Sequence, residues 1–151
     1  MPLKGLNNVK LAIGDLKESA NDDVRAVYIA GLADVTKGTP VGNPSLWLYN
    51  HPTRGYIDYI GYLGKPVGYV GGRARSNWFL SSLKPLTKTT KSTKRPAALK
   101  GMPKTVLNKT IYYTNNMPYM NKLEYDFHSS QAPKGWVRAA VIRMQNAIRN
   151  L

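Results

Sequence analysis

The chain is expected to fold as a small α+β domain, a mostly antiparallel β-sheet flanked by a long N-terminal helix and a C-terminal helix. Helical apolar spacing at both ends and strand-like but heavily punctuated sequence between them predict this. A length of 151 residues adds that one core can be built, with about two-thirds of the unfolded surface buried, but not two. A single domain spanning 1–151 is the expectation.

Apolar residues recur at Leu6, Val9, Ile13, Leu16, Ala20, Val24, Val27 and Gly31, a three-or-four spacing that predicts a long amphipathic helix from about Leu6 to Asp34. Asp22 and Asp23 are read as opposite that stripe, Gly31 is a candidate end or loosening point, and Thr36-Lys-Gly-Thr-Pro40 is the stop. Asn77–Leu83 and Val106–Thr114 are the best strand candidates, with weaker ones near Trp47–Tyr49 and Tyr56–Tyr62. After Ile111–Thr114, which is β-branched and aromatic, Asn115-Asn116 has turn and N-cap chemistry, and Pro118 suits the first residue of a short helix. Trp136 or Val137, Ala140, Val141, Met144, Ala147 and Ile148 predict a final helix of about four turns, with Pro133 near its start.

Two segments interrupt this plan. Residues 42–72 hold five tyrosines and seven glycines, which reads as an elaborated loop or hairpin excursion. Its tyrosines, Tyr56, Tyr59 and Tyr62 among them, suit a partner surface as well as packing on the chain's own sheet. Residues 84–105 are rich in Lys, Thr and Pro with few large apolar side chains, so a long mobile loop joining two strands is expected there.

Net charge is +14, and its distribution is uneven. Residues 1–58 hold six bases and six acids, whereas 59–123 hold twelve bases and no acid. Such a block does nothing for folding and must face water, nucleic acid or an acidic protein surface. Lys84, Lys88, Lys91, Lys94, Arg95 and Lys100 are the candidate contacts to DNA or an acidic surface. Spaced by Thr, Ser and Pro without interleaved aromatics, they would bind phosphates without sequence preference. A basic nucleic-acid-binding accessory protein is therefore the second functional reading.

Catalytic and metal chemistry finds little to work with. The absence of cysteine removes disulfides and thiolate metal sites, and nothing argues for an oxidising compartment. Glu124, Asp126 and His128 alternate and would share one face if extended, but no further ligand motif accompanies them, and a solvated polar edge accounts for them. Gly68-Tyr-Val-Gly-Gly-Arg73 lacks the Gly-Lys-Ser/Thr end of a phosphate loop. Lys4, Asn7, Asn8, Lys10, Asp15, Lys17 and Glu18 interrupt any signal-like apolar core, and no stretch reaches bilayer length.

Five short motifs carry a resemblance. Thr39-Pro40-Val41 follows the first helix, Arg73, Arg75 and Trp78 form an Arg-x-Arg-x-x-Trp stretch, and Asn115-Asn116 precedes Pro118-Tyr119. Leu123-Glu124-Tyr125 and Gln131-Ala132-Pro133 with Gly135, Val137 and Arg138 complete the series. Taken in order over about 39–138, these resemble the tail-completion and head–tail joining proteins of tailed bacteriophages. The departure is the excursion of about thirty residues, since shorter members of that family pass almost directly from the Thr-Pro-Val turn to the Arg-x-Arg stretch.

The resemblance implies a structural virion protein of the neck or tail terminus, assembled in the host cytoplasm as a homo-oligomeric ring of roughly six or twelve subunits. Such a ring would meet portal or head-completion proteins and tail proteins, and leave a channel where non-specific contact with genome DNA is expected. No catalytic residue, cofactor, metal or membrane is implied. Arg73, Arg75 and Glu124 are candidate interface residues, because planar guanidinium groups suit bidentate contact with carboxylates and Glu124 can accept within the fold or on the next subunit; intramolecular scaffolding is the alternative for all three. Trp78, Tyr119, Leu123 and Val137 are expected to be intramolecular anchors.

Overall fold

The computed structural model describes residues 5–42, 48–50, 57–59, 71–94, 98–126 and 131–151. Helix α1 (Leu6–Gly38) opens the chain and runs past Gly31 without a break. That glycine serves packing rather than termination, because a Cβ there would collide with the Met144 side chain of the C-terminal helix α3 (Trp136–Arg149). Gly38 meets the indole of Trp136 in the same way, so the two helices cross closely and run antiparallel. Arg143 and Asp34 add an ion pair of 2.7 Å across their exposed side. The chain enters α3 through Gly135 at φ 78°, a left-handed conformation in which glycine carries no Cβ penalty.

Among the described residues, four strands of three residues each lie between the helices. β1 (Leu48–Asn50) pairs antiparallel with β2 (Ile57–Tyr59), and β3 (Phe79–Ser81) pairs antiparallel with β4 (Tyr112–Thr114), Leu80 opposite Tyr113. The α+β class is therefore as expected, with two separate two-stranded ladders among the described residues where one small sheet was anticipated. β3 and β4 are also shorter than their apolar runs. Asn77 belongs to a one-turn 3-10 helix (Arg75–Asn77), so β3 starts only at Phe79. Asn108 takes φ 58° in a turn closed by the Lys109 N–H donating to Val106 O, which detaches Val106 from β4.

The short helix α2 (Met120–Tyr125) begins two residues beyond Pro118. Asn115 Oδ1 accepts the Met117 N–H at 3.2 Å, which makes a turn of the preceding residues and points Met117 and Met120 inward. The core then joins Leu32 and Val35 of α1, Trp78 and Leu80, Met102 and Val106, Leu123 of α2, and Trp136 and Ala140 of α3. Tyr113 packs against it, and its hydroxyl donates to Tyr28 O. No helix of the described residues is long and apolar enough to cross a membrane.

The described part of the basic tract is irregular apart from a 3-10 turn at Ala98–Gly101, and it is tied to the body at several points. Fully buried Asn77 accepts the Thr90 N–H at 2.7 Å and donates to Thr90 O and Arg73 O. Asn116 donates to Leu86 O and Lys88 O, and Met102 enters the core. The charged ends nevertheless remain outside: Lys84, Lys88, Lys91, Lys94 and Lys100 are all exposed.

Asn77→Ala is expected to destabilise the domain by about 2 to 3 kcal/mol, because it removes three hydrogen bonds and leaves the Thr90 amide without its acceptor. Urea denaturation measures this. A change under about 0.5 kcal/mol, the size of an ordinary surface substitution, would show that the tether carries no stability.

Candidate functional site

The last carbonyls of a helix have no partner within it, and at the end of α1 they gather the rest of the fold. Thr39, completely buried, folds its hydroxyl back to donate to Val35 O at 2.7 Å and accepts the Trp78 indole N–H at 2.7 Å. Trp136 Nε1 approaches the same Val35 carbonyl at 3.5 Å. Arg75 donates to Thr39 O from Nε and Nη2, at 3.2 and 2.9 Å, and to Lys37 O at 3.2 Å. A cation at the C-terminal end of a helix also meets the negative end of its dipole.

The other motif segments close the same assembly. Gln131 brackets Val41, its Oε1 accepting the Val41 N–H and its Nε2 donating to Val41 O. Asn115 Nδ2 donates to Ala74 O at 2.8 Å. Glu124 is buried, and its carboxylate accepts the Val137 and Arg138 N–H groups at 3.0 and 3.2 Å, capping α3 from another element where Gly135 has no side chain to do so. Arg138 Nε completes the set at 3.4 Å from Glu124.

These contacts revise the expectations for individual residues. Glu124 faces inward, inside α2 rather than on an extended segment, so it is not placed at a partner surface and does not share a strand face with Asp126. Arg75 serves α1, while Arg73 is exposed, and the turn at Arg73 and Ala74 that leads into the 3-10 helix prevents the parallel presentation that an extended segment would give. Trp78 and Leu123 are core anchors, Val137 packs at the edge of that core, and Tyr119 is exposed while Met117 and Met120 take the inner positions. The backbone of Tyr59 lies in β2, whereas Tyr56, Tyr62, Arg95, His51 and His128 lie outside the described residues.

What remains outward is an arm and a basic face. Every residue from Gly5 to Ala20 is exposed, including Leu6 at 48 %, Val9 at 54 %, Ile13 at 48 % and Leu16 at 70 %. Burial of α1 begins only at Asn21 and Val24, where Asn21 accepts the Val106 N–H and donates to Lys104 O. The apolar stripe of this half was legible as amphipathic, but its lack of an internal partner was not. One signal was present: the 3-4-3-4 spacing from Leu6 to Ala20 has Asp23 at its next position, so Asp23 lies in line with the stripe and not opposite it, and the core-facing stripe shifts to Val24, Tyr28 and Leu32.

Beside the start of the body, a polar groove runs between α1 and the Lys104–Asn108 turn, lined by Lys17, Glu18, Asp22, Arg25 and Asn108. Among the described residues no group of three or more His, Asp or Glu side chains converges. The arrangement offers surfaces for binding. In comparisons with known proteins, no family model, no curated protein and no solved structure matched the chain.

Arg75→Ala is expected to cost about 1.5 to 3 kcal/mol, since a charged donor to otherwise unpartnered helix carbonyls is lost. Arg73→Ala should stay within about 0.5 kcal/mol. Equal losses for both in urea denaturation would contradict the division of labour between the two arginines.

Proposed function

We propose that this protein is a structural component of a tailed-phage neck or tail terminus, forming a ring that joins the DNA-filled head to the tail and leaves a channel for the genome. The observation that carries the reading is the ordered series of motifs between 39 and 138, and its weight is increased by their contacts. Thr39 meets Trp78 and lies under Arg75, Asn115 reaches Ala74, Glu124 caps Val137 and Arg138, and Gln131 brackets Val41. The resemblance thus covers one packed unit instead of scattered tripeptides.

The surfaces suit that work. An exposed apolar arm serves association, and exposed Lys84, Lys88, Lys91, Lys94 and Lys100 give a face for an acidic partner or for passing DNA. Arg73 is the member of the arginine pair that such a partner would reach.

Loss of the chain is expected to leave filled heads unjoined to tails, and imaging of intact particles should find it in a closed ring around an axial channel. Particles without the chain, or holding it as isolated monomers, would contradict the proposal. Purified protein should bind duplex DNA weakly, without sequence preference, and much less tightly at about 200 mM than at 50 mM salt. Tight sequence-selective binding at physiological salt would favour the nucleic-acid-binding reading instead.

A further inference from the structure

The segment from Leu86 to Lys94 is a strap held on the body by neutral groups. Asn116 Nδ2 donates to Leu86 O and Lys88 O, and Asn77 binds both the N–H and the carbonyl of Thr90. Gly72, at φ 99°, admits Thr93 O so closely that a Cβ there would lie 3.2 Å from it. The Asn77 Nδ2 that donates to Thr90 O also donates to Arg73 O, which places the backbone of Arg73 beside the strap. Thr90 and Ser92 use their hydroxyls on the strap's own turns, accepting the Ser92 and Lys94 N–H groups.

This framework fixes where four cations stand. Arg73, Lys88, Lys91 and Lys94 are all exposed, and Lys88 Nζ is seated 4.8 Å over the Phe79 ring. None of them is ion-paired among the described residues, whose two ion pairs belong to Arg138 and Arg143. Residues 59–123 supply no acid to set among them. The packed backbone therefore holds the four against mutual repulsion, which an anionic partner relieves.

Composition separates the two kinds of anionic partner. A protein interface is built on an apolar or aromatic centre and is depleted in lysine, and carboxylate recognition favours the planar fork of arginine. Residues 86–94 are Lys, Thr and Ser, with half-buried Leu86 as the one large apolar side chain. Contact with a phosphate backbone requires no apolar centre, and lysine serves it as a point charge. Duplex DNA also presents about one charge per 1.7 Å, against one per ~3.3 Å on an extended acidic peptide.

We infer that this strap, with Arg73, is a phosphate-backbone site for duplex DNA. It takes any sequence, because the strap carries no aromatic, Asn or Gln side chain to stack on or read a base. The inference rests on the neck reading for the identity of the polyanion, since the duplex genome is what passes there, and it names the residues that meet it.

Fluorescence anisotropy of a labelled random-sequence duplex, titrated with full-length protein at salt from about 50 to 200 mM, tests this. The quadruple variant Arg73→Gln, Lys88→Gln, Lys91→Gln, Lys94→Gln changes only exposed side chains. It should make the slope of log affinity against log salt less negative by about 3 to 4, and weaken binding at the lowest salt by at least about tenfold. Lys10→Gln, Lys17→Gln, Lys122→Gln, Lys134→Gln removes the same charge from exposed positions elsewhere and should change the slope by less than about 1. Equal changes in the two variants would overturn the site and leave only attraction by net charge. Poly-glutamate should displace the duplex at least about tenfold less well than unlabelled DNA of equal charge concentration. Equal displacement would overturn the choice of DNA in favour of an acidic protein surface.

Particle imaging separates this inference from the function on which it rests. A ring present in particles, with equal slope changes in the two variants, would refute the strap and keep the neck assignment. A slope that depends on the strap, in a protein absent from particles, would do the reverse.

Discussion

The carbonyl end of α1 is the constraint on which the rest of the fold depends. A 33-residue helix that stops inside the body must find partners for its last carbonyls, since a buried unpaired carbonyl costs about 1 to 3 kcal/mol. This chain supplies them from three separated segments: Thr39 beside the stop, Arg75 after the excursion, and Trp136 at the mouth of α3, while the Trp78 indole donates to the Thr39 hydroxyl. Once Trp78 is fixed there, β3 follows it directly and Leu80 is set opposite Tyr113 of β4. Trp136 at Gly38 likewise fixes the start of α3, and the approach of Met144 to Gly31 follows from the antiparallel crossing.

A fold anchored at that end leaves the opposite end of α1 with no structural duty in the body. The division is sharp in composition. The core-facing positions from Val24 to Val35 are apolar and covered, while the sixteen residues from Gly5 to Ala20 are all exposed, with an apolar stripe and as many bases as acids. The remainder of the chain is strongly basic, and its lysines lie outside even where the backbone of their tract is held by Asn77 and Asn116.

Much of the architecture was legible in the sequence because its signals are local. Three-or-four spacing located both long helices, and β-branched and aromatic runs located the strand regions, since each periodicity follows from backbone geometry. What was not legible depends on contacts across the chain. Gly31 resembled a stop until Met144 filled the space beside it. Asn77 sat in an apolar run that looked like strand, but its amide is used to hold Thr90. Glu124 and Arg75 carry charges that would suit a partner equally well, and only the carbonyl and amide groups left over by α1 and α3 turn them inward. The stripe from Leu6 to Ala20 was visible as a pattern, but no pattern within one helix tells whether its partner belongs to the same chain.

The central claim is that the α1 stop holds one packed body together while the first half of the helix takes no part in it and, on the proposed function, serves association. Hydrogen exchange read amide by amide, on dilute free protein and on the assembled ring, tests it most directly. In the free protein, amides from Val24 to Gly38 should be protected to near the global stability while those from Val9 to Ala20 exchange fast, and assembly should slow the second group. Equal protection of both halves in the free protein, or an arm that still exchanges fast in the assembled ring, would contradict the account.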